Sequence, residues 1–544
     1  MNRILKMIGL SSFLAAMTSS CNSMDPVLTS EFTDATFWES TANADQLVNM
    51  AYNQMYSADK MWNDEALSDN IFEGRSPTNQ RLIRNGLANP TNTLFASEWA
   101  DAYRGLKTCH VFLANVNRIS DATEDWKEIR SAEIRFIRAF IYFRLVNFFG
   151  DVPFFTSDIT VSEAGNINRT PKANILTFIH EELSNISSRL PNRNELANSD
   201  RGRITKGAVL ALQARAYLYE SNWQKTADYC DSLMQKQEIY GNYSLLKNYE
   251  DIFQPANEYN EEVILDYGYV SNAKTWNKLY DAAPLSAGAR LNAYAPVQEL
   301  ANNYLTINGL PINSDPTYSE NNPYVNRDPR MGATIVFHGG QWTNLSGETR
   351  TIYIKPGTGS NDTERSDEYA GANSNASPTG YYVKKYYDHT GTQDFSSGLN
   401  VIMIRYADIL LMYAEAQQQL GKLDANIWNQ TIRAIRERAG FTAATALDFP
   451  TGMSTSNLTT LIRNERRSEL ALEGLRYFDI MRWKAGKTYL EGTVYGAKFA
   501  NGNSDYIRLD NRRFDENRDY LWAVPSAQVD LNKNLLPNNP GYAN

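Results

Sequence analysis

Arg463-Asn464-Glu465-Arg466-Arg467-Ser468-Glu469-Leu470, continuing through Glu473-Gly474-Leu475-Arg476-Tyr477-Phe478-Asp479 to Arg482-Trp483, is the stretch that decides the fold. It predicts a helix over about 456–473, in which Glu465, Glu469 and Glu473 fall at spacing four and line one face. Three carboxylates in a row repel one another unless cations interleave. Arg463, Arg466, Arg467 and Arg476 are at hand to do so, and Asp479 and Arg482 can pair at spacing three. A metal or acid/base cluster is the functional alternative. The density of arginine favours an ion network, so the stretch reads as scaffold. Glu133, Arg135 and Arg138 read the same way.

Outward from this stretch the pattern stays helical. An amphipathic helix is expected at about 41–57 (Leu47, Met50, Ala51, Gln54, Met55), and others at about 96–119 and 124–149. In the last of these, Trp126, Ile129, Phe136, Ile137, Phe140, Phe143 and Leu145 keep a helical spacing, with Gly150 as a stop and Pro153 beyond it. Further helices are expected near 171–190, 203–220 and 223–236. Ala208, Ala211, Ala214 and Ala216 are small where two helices would approach closely, and that pair resembles a tetratricopeptide hairpin. A second such pair spans about 401–439 and ends at Gly440. The rest is different. Residues 58–95 lose periodicity and read as a long structured loop, a form uncommon without a function. Residues 240–400 are dense in Asn, Tyr, Gly, Pro and Asp, and 484–544 are irregular. The architecture implied is all-α: a scaffold of helical hairpins (about 41–57, 96–239 and 401–483) carrying loop-rich portions (about 58–95, 240–400 and 484–544), where recognition usually sits.

The chain begins with Arg3 and Lys6, an apolar stretch from Met7 to Met17, small residues, and then Cys21. This is the order of a lipoprotein signal: 1–20 as leader, Cys21 as the lipidated first residue, and 21–40 as tether and lead-in. The apolar run is too short for a membrane-spanning helix, which needs about 20 residues. No other long apolar run exists, so the lipid would be the anchor.

At 544 residues, 42% hydrophobic and 21% charged, the composition is globular. Net charge is −9 and no basic tract exists to displace counterions, which argues against nucleic acid. Besides Cys21, Cys109 and Cys230 lie in helix-like segments and read as buried thiols, with a disulfide as the alternative. His110, His180, His338 and His389 show no mutual spacing, so neither a metal nor a cofactor is assigned.

The unusual component is 32 Tyr and 10 Trp. Most of these fill gaps between helices. Trp99, Tyr103, Trp223 and Trp428 sit at helical packing positions and read as core. Trp62, Phe72, Trp276, Tyr280, Tyr294, Tyr324 and Trp342 lie in non-periodic stretches with polar neighbours. A sugar ring stacks its C–H face on such a platform, and its hydroxyls need polar groups alongside. Asp69, Asn70 and Arg75 supply these near Trp62.

Four stretches together resemble the SusD/RagB family of Bacteroidetes outer-membrane lipoproteins. They are Ala132-Glu133-Ile134-Arg135-Phe136-Ile137-Arg138-Ala139 running into Phe148-Phe149-Gly150-Asp151-Val152-Pro153, Ile404-Arg405-Tyr406-Ala407-Asp408 through Ala416, the 463–483 stretch, and the end, Asn534-Leu535 with Asn539-Pro540-Gly541-Tyr542. The likeness runs over almost the whole of 41–544, with 58–95 and 270–400 matching loosely. It implies about four tetratricopeptide-like hairpins, a glycan ligand, a place on the outer leaflet of the outer membrane, and a lid role over a SusC-like TonB-dependent transporter. It implies no cofactor and no catalytic residue. Surface-exported relatives often carry acidic residues just after the lipid cysteine, whereas here Asn22-Ser23-Met24 precede Asp25. The rival readings are a surface glycoside hydrolase, which needs two carboxylates about 5–9.5 Å apart, and a helical-repeat binder of peptide or protein cargo.

Overall fold

Thr123 opens and Gly150 closes the longest helix. The Thr123 side chain accepts the Trp126 N–H, Glu124 and Asp125 sit in the first turn, and Gly150 takes φ 69°, a left-handed conformation that glycine adopts without strain. The computed structural model describes residues 37–75, 78–502 and 504–543. The leader, Cys21 and the tether up to residue 36 lie outside the described residues. Among these there are nine α-helices of nine residues or more: α1 (Thr41–Met55), α2 (Ala58–Ala66), α3 (Thr93–Asn115), α4 (Glu124–Phe149), α5 (Lys172–Ile186), α6 (Lys206–Tyr219), α7 (Trp223–Gln235), α8 (Tyr406–Gln419) and α9 (Thr455–Glu469).

The helices pack in chain order. From α3 to α9 each lies against the next, and α1 lies against both α3 and α4. In the α6–α7 pair, Ala208, Ala211, Ala214 and Ala216 are wholly buried, so the two backbones can close on each other. Residues 425–439 continue from α8 as a helix interrupted by a π turn at Asn429–Arg433 and capped by Gly440. Trp99 and Trp428 are buried as expected. Cys109 and Cys230 are buried free thiols, and burial pushes the Cys109 thiol up to about 12.

Four expectations are corrected. The fold is mainly helical but not purely so, because six two-stranded antiparallel ribbons occur among the described residues. One of them pairs Val401–Arg405 with Val263–Tyr267, so the segment expected as helix from 401 begins as a buried strand rich in β-branched residues. Residues 58–95 are not one loop. Ser57 caps α2, a strand follows at Ile71–Glu73, and a short helix at Asn79–Arg84. Finally, α9 stops at Glu469, with Leu472 (φ 62°) and Gly474 (φ 76°) turning the chain, so Glu473 is not on its face.

The ion network exists, but its cations come from elsewhere. Arg330 meets Asp328, Glu465 and Glu469 at 2.7–2.8 Å. Arg405 binds Glu262 and Glu469 at 2.6 Å and Glu473 at 2.8 Å. Arg436 holds Glu465 at 2.7 Å, Arg438 also reaches Glu469, and Lys385 holds Glu473 at 2.6 Å. The neighbouring arginines turn outward from that face to other acids: Arg466 to Asp408 and Asp479, Arg467 and Arg476 to Asp69. Arg463 stacks on Trp483 instead. Likewise Glu133 pairs with Arg130 and Arg203, while Arg135 and Arg138 both go to Glu182. Asp479 and Arg482 pair as expected, at 2.8 Å.

This chemistry fixes how stability varies with pH. Burial pushes Asp69 and Glu469 up, but their arginines outweigh it and hold both carboxyls well below the ordinary range. Their contribution is complete above the unfolded value of about 4 and is lost as pH falls toward the folded values. Where no cation is close, burial wins: Asp266 is raised to about 7 and Asp367 to about 6. A raised carboxyl favours the folded state more as it protonates, so these groups add stability as pH falls from about 7 toward about 4. The two sets place maximal stability at about pH 5, with a shallow loss toward pH 8 and a steep one below pH 4. Urea midpoints measured across that range check this, and a maximum above pH 7 would contradict it.

Candidate functional site

A groove of about 660 Å³ opens in the loop-rich portion, between the 318–325 loop, the 337–339 turn, Lys355, Tyr381 and, from the tail, Lys498, Phe499, Ser504 and Tyr506. Its platform is a pair of rings. Tyr324, half-buried, stacks on Phe337 with centroids 4.5 Å apart and planes at 24°. The Tyr324 and Tyr381 hydroxyls lie 3.3 Å apart, and Tyr381 Oη donates to Gln298 Oε1 at 2.7 Å. Tyr318, Tyr506, Asn321 and Asn322 complete the wall.

The sequence builds this locally. Arg327, itself buried, donates to the carbonyls of Pro323, Ala301 and Tyr304 at 2.6–2.7 Å, which pins the 318–325 loop to the helix at Gln298–Asn303. Gly380 (φ 79°) lets the tail approach: a Cβ there would lie 2.9 Å from the Phe499 ring and 2.8 Å from Ala497. Ser377 accepts the Tyr381 N–H at 3.2 Å and fixes that ring's base.

The electrostatics are mixed. Lys498 pairs with Glu320 at 2.8 Å. His338 Nδ1 accepts the backbone N–H of Ile354 and of Lys355, at 3.2 and 3.3 Å, so its proton sits on Nε2. Burial, reinforced by Lys355, holds this imidazole below its usual pKa, so it stays neutral. Among the described residues no group of three or more His, Cys, Asp or Glu is placed to hold a metal ion.

Of the residues expected at the ligand surface, Tyr324 lines the groove. The reading of Trp62, Phe72, Trp276 and Trp342 as open platforms gives way to burial. Trp62 (2% exposed) packs on Tyr294 at 5.6 Å, Phe72 (3%) lies under Arg81 at 4.9 Å, and Trp276 (8%) donates its indole N–H to the Leu399 carbonyl at 2.7 Å. Trp342 (0%) packs on Tyr387 at 4.3 Å. Large rings in aperiodic segments here seal loops to scaffold. Asp69 and Asn70 are likewise buried, and both bind Arg467. Tyr280 and Tyr294 stay half-buried away from the groove, flanked by Arg290 and Lys278. Arg75 is exposed and donates to Asn375 Oδ1 at 3.1 Å. Phe337, His338, Lys355, Tyr381 and Tyr506 also line the groove, and no local pattern in the sequence marks them. The Asn- and Pro-rich run around Tyr318 and Tyr324 was the available signal.

Residues 250–542 match the family model described as the SusD family. The chain belongs to the SusD family. Members of this family are binding proteins and not catalysts. Residues 27–218 also match a SusD-like model described as starch-binding associating with outer membrane. SusD-like protein P2 of Formosa agariphila is 26% identical over 527 residues, covering 93% of this SusD-like chain and 94% of that protein. The starch-binding protein SusD of Bacteroides thetaiotaomicron is 30% identical over 160 residues, 28% of this chain and 27% of its own length. The crystal structure of a SusD-like carbohydrate binding protein from Bacteroides fragilis superposes with TM-score 0.82 at 27% identity, covering 92% of this chain and all of that one.

Proposed function

We propose that this SusD-like protein is a cell-surface glycan-binding lipoprotein, anchored in the outer membrane through Cys21, that acts as the lid of a SusC-like TonB-dependent transporter. The Tyr324–Phe337 stack on the wall of an open groove of mixed polar and apolar surface carries the glycan reading. It offers a flat face for a sugar's C–H surface, with the Gln298, Asn321 and Asn322 amides beside it for hydroxyls. The carbohydrate and starch binding of the Bacteroides relatives supports that reading. The scaffold of packed helix pairs is the tetratricopeptide-like arrangement that the family resemblance implies, and residues 58–95, 240–400 and 484–544 form the ligand-binding portion upon it. The lipid anchor, outer-membrane placement and transporter partnership rest on the leader pattern and on the family. A shallow groove of this kind binds at about micromolar to millimolar strength, weak enough to release cargo.

The test is native affinity electrophoresis through gels containing single polysaccharides, with reducing-sugar release assayed in parallel. Retardation by a glycan without sugar release is expected. Tyr324→Ala weakens that binding about fivefold, because one good stacking contact contributes about 1 kcal/mol. Sugar release would move the assignment to a hydrolase. A ligand only among peptides would move it to peptide cargo.

A further inference from the structure

Resting on the groove as the glycan site, we infer that it selects glycans bearing an anionic substituent, a carboxylate or a sulfate ester, seated on the Lys355 ammonium and the His338 imidazole N–H. The charges around the groove point there. Lys498 is answered by Glu320. The Arg327 guanidinium is engaged by backbone carbonyls. Lys355, half-buried on the groove wall, has no ion pair and no hydrogen bond at its ammonium among the described residues.

His338 adds a fixed donor beside it. Because Nδ1 accepts two backbone N–H groups, Nε2 carries the proton, and that N–H has no partner among the described residues. Two carboxylates lie near. Glu320 is neutralised by Lys498, and Glu368 accepts the N–H groups of Gly357, Thr358 and Gly359. Neither answers Lys355. A ligand laid on the Tyr324 platform strips water from this ammonium. A neutral sugar leaves it uncompensated, whereas an anionic substituent restores a charge-assisted contact.

The experiment is calorimetric titration of the purified protein with oligogalacturonate and with the same oligomer after carboxyl reduction, and in parallel with sulfated and desulfated carrageenan oligosaccharides. At low salt the anionic form of at least one pair binds about fivefold tighter than its neutral counterpart. Which pair shows the preference separates carboxylate from sulfate. The preference collapses at about 0.5 M salt, where charges are screened within a few ångströms. Lys355→Gln brings the anionic and neutral forms to equal affinity, and Tyr324→Ala weakens both forms. Equal or tighter binding of the neutral forms, lost in Tyr324→Ala but untouched by Lys355→Gln, overturns this inference and leaves the glycan reading standing. Failure of every glycan in both the calorimetry and the gel survey to bind overturns both.

Discussion

Replacing Arg405 by methionine destabilises the protein by about 3–5 kcal/mol, the usual result of removing one partner from a buried ion network. Arg405 is 1% exposed and makes five contacts. Nε and Nη2 hold Glu473 at 2.9 and 2.8 Å. Nη1 holds Glu262 and Glu469 at 2.6 Å, and Nη2 also reaches the Glu469 carbonyl at 2.7 Å. Methionine fills much of the volume, but three buried carboxylates then lose a shared cation at once. Domains are typically stable by only about 5–15 kcal/mol, so much of the margin goes. Arg405→Lys keeps the charge without the planar fork and falls between the two. Urea unfolding of the three proteins decides it, and a loss below about 1 kcal/mol would show that Arg438, Arg330 and Lys385 suffice without Arg405.

Trp342→Ala produces a loss of similar size, about 3–5 kcal/mol, as expected for emptying a fully buried indole site. The measurement also separates two roles. A platform tryptophan, cut to alanine, lowers glycan affinity at unchanged melting temperature. A core tryptophan lowers the melting temperature, and the fraction still folded binds as before. With Trp342 at 0% exposure against Tyr387, the second pattern is expected. Calorimetric melting beside gel affinity reads both quantities. Weakened binding at unchanged stability would return Trp342 to the ligand surface.

What could be read in the sequence follows from how local the causes are. The bounds of α4 are set within its own residues, by the Thr123 cap, the apolar spacing and Gly150, and they stand at 124–149 as expected. The α6–α7 pair was visible for the same reason, because its alanines are neighbours in sequence. By contrast, α2 hides because Asp64 and Glu65 lie on its buried side, where acids break the apolar period. What makes them tolerable, Arg144 for Asp64 and Asn70 with the Gly474 N–H for Glu65, lies partly far along the chain. The acids at 465, 469 and 473 suggested nearby arginines, yet residues one or two positions away on a helix face elsewhere. The groove was legible only at Tyr324. Its other walls, Tyr381 and Tyr506, arrive from segments that only the fold brings together.

The distant pairing of charges has a consequence for the order of synthesis. Glu262, Arg330 and Arg405 are made well before Glu469 and Glu473, the acids on which Arg330, Arg405 and Arg438 converge. Until residue 473 has been made, no truncated chain can close that lattice, and any stop short of it leaves Arg330, Arg405 and Arg438 with only part of their counter-charge, Asp328 and Glu262, in a dry interior. The mature arrangement therefore locks late and all together. The chain cannot be cut into a self-sufficient helical half and a self-sufficient loop-rich half, because each holds the counter-charges of the other.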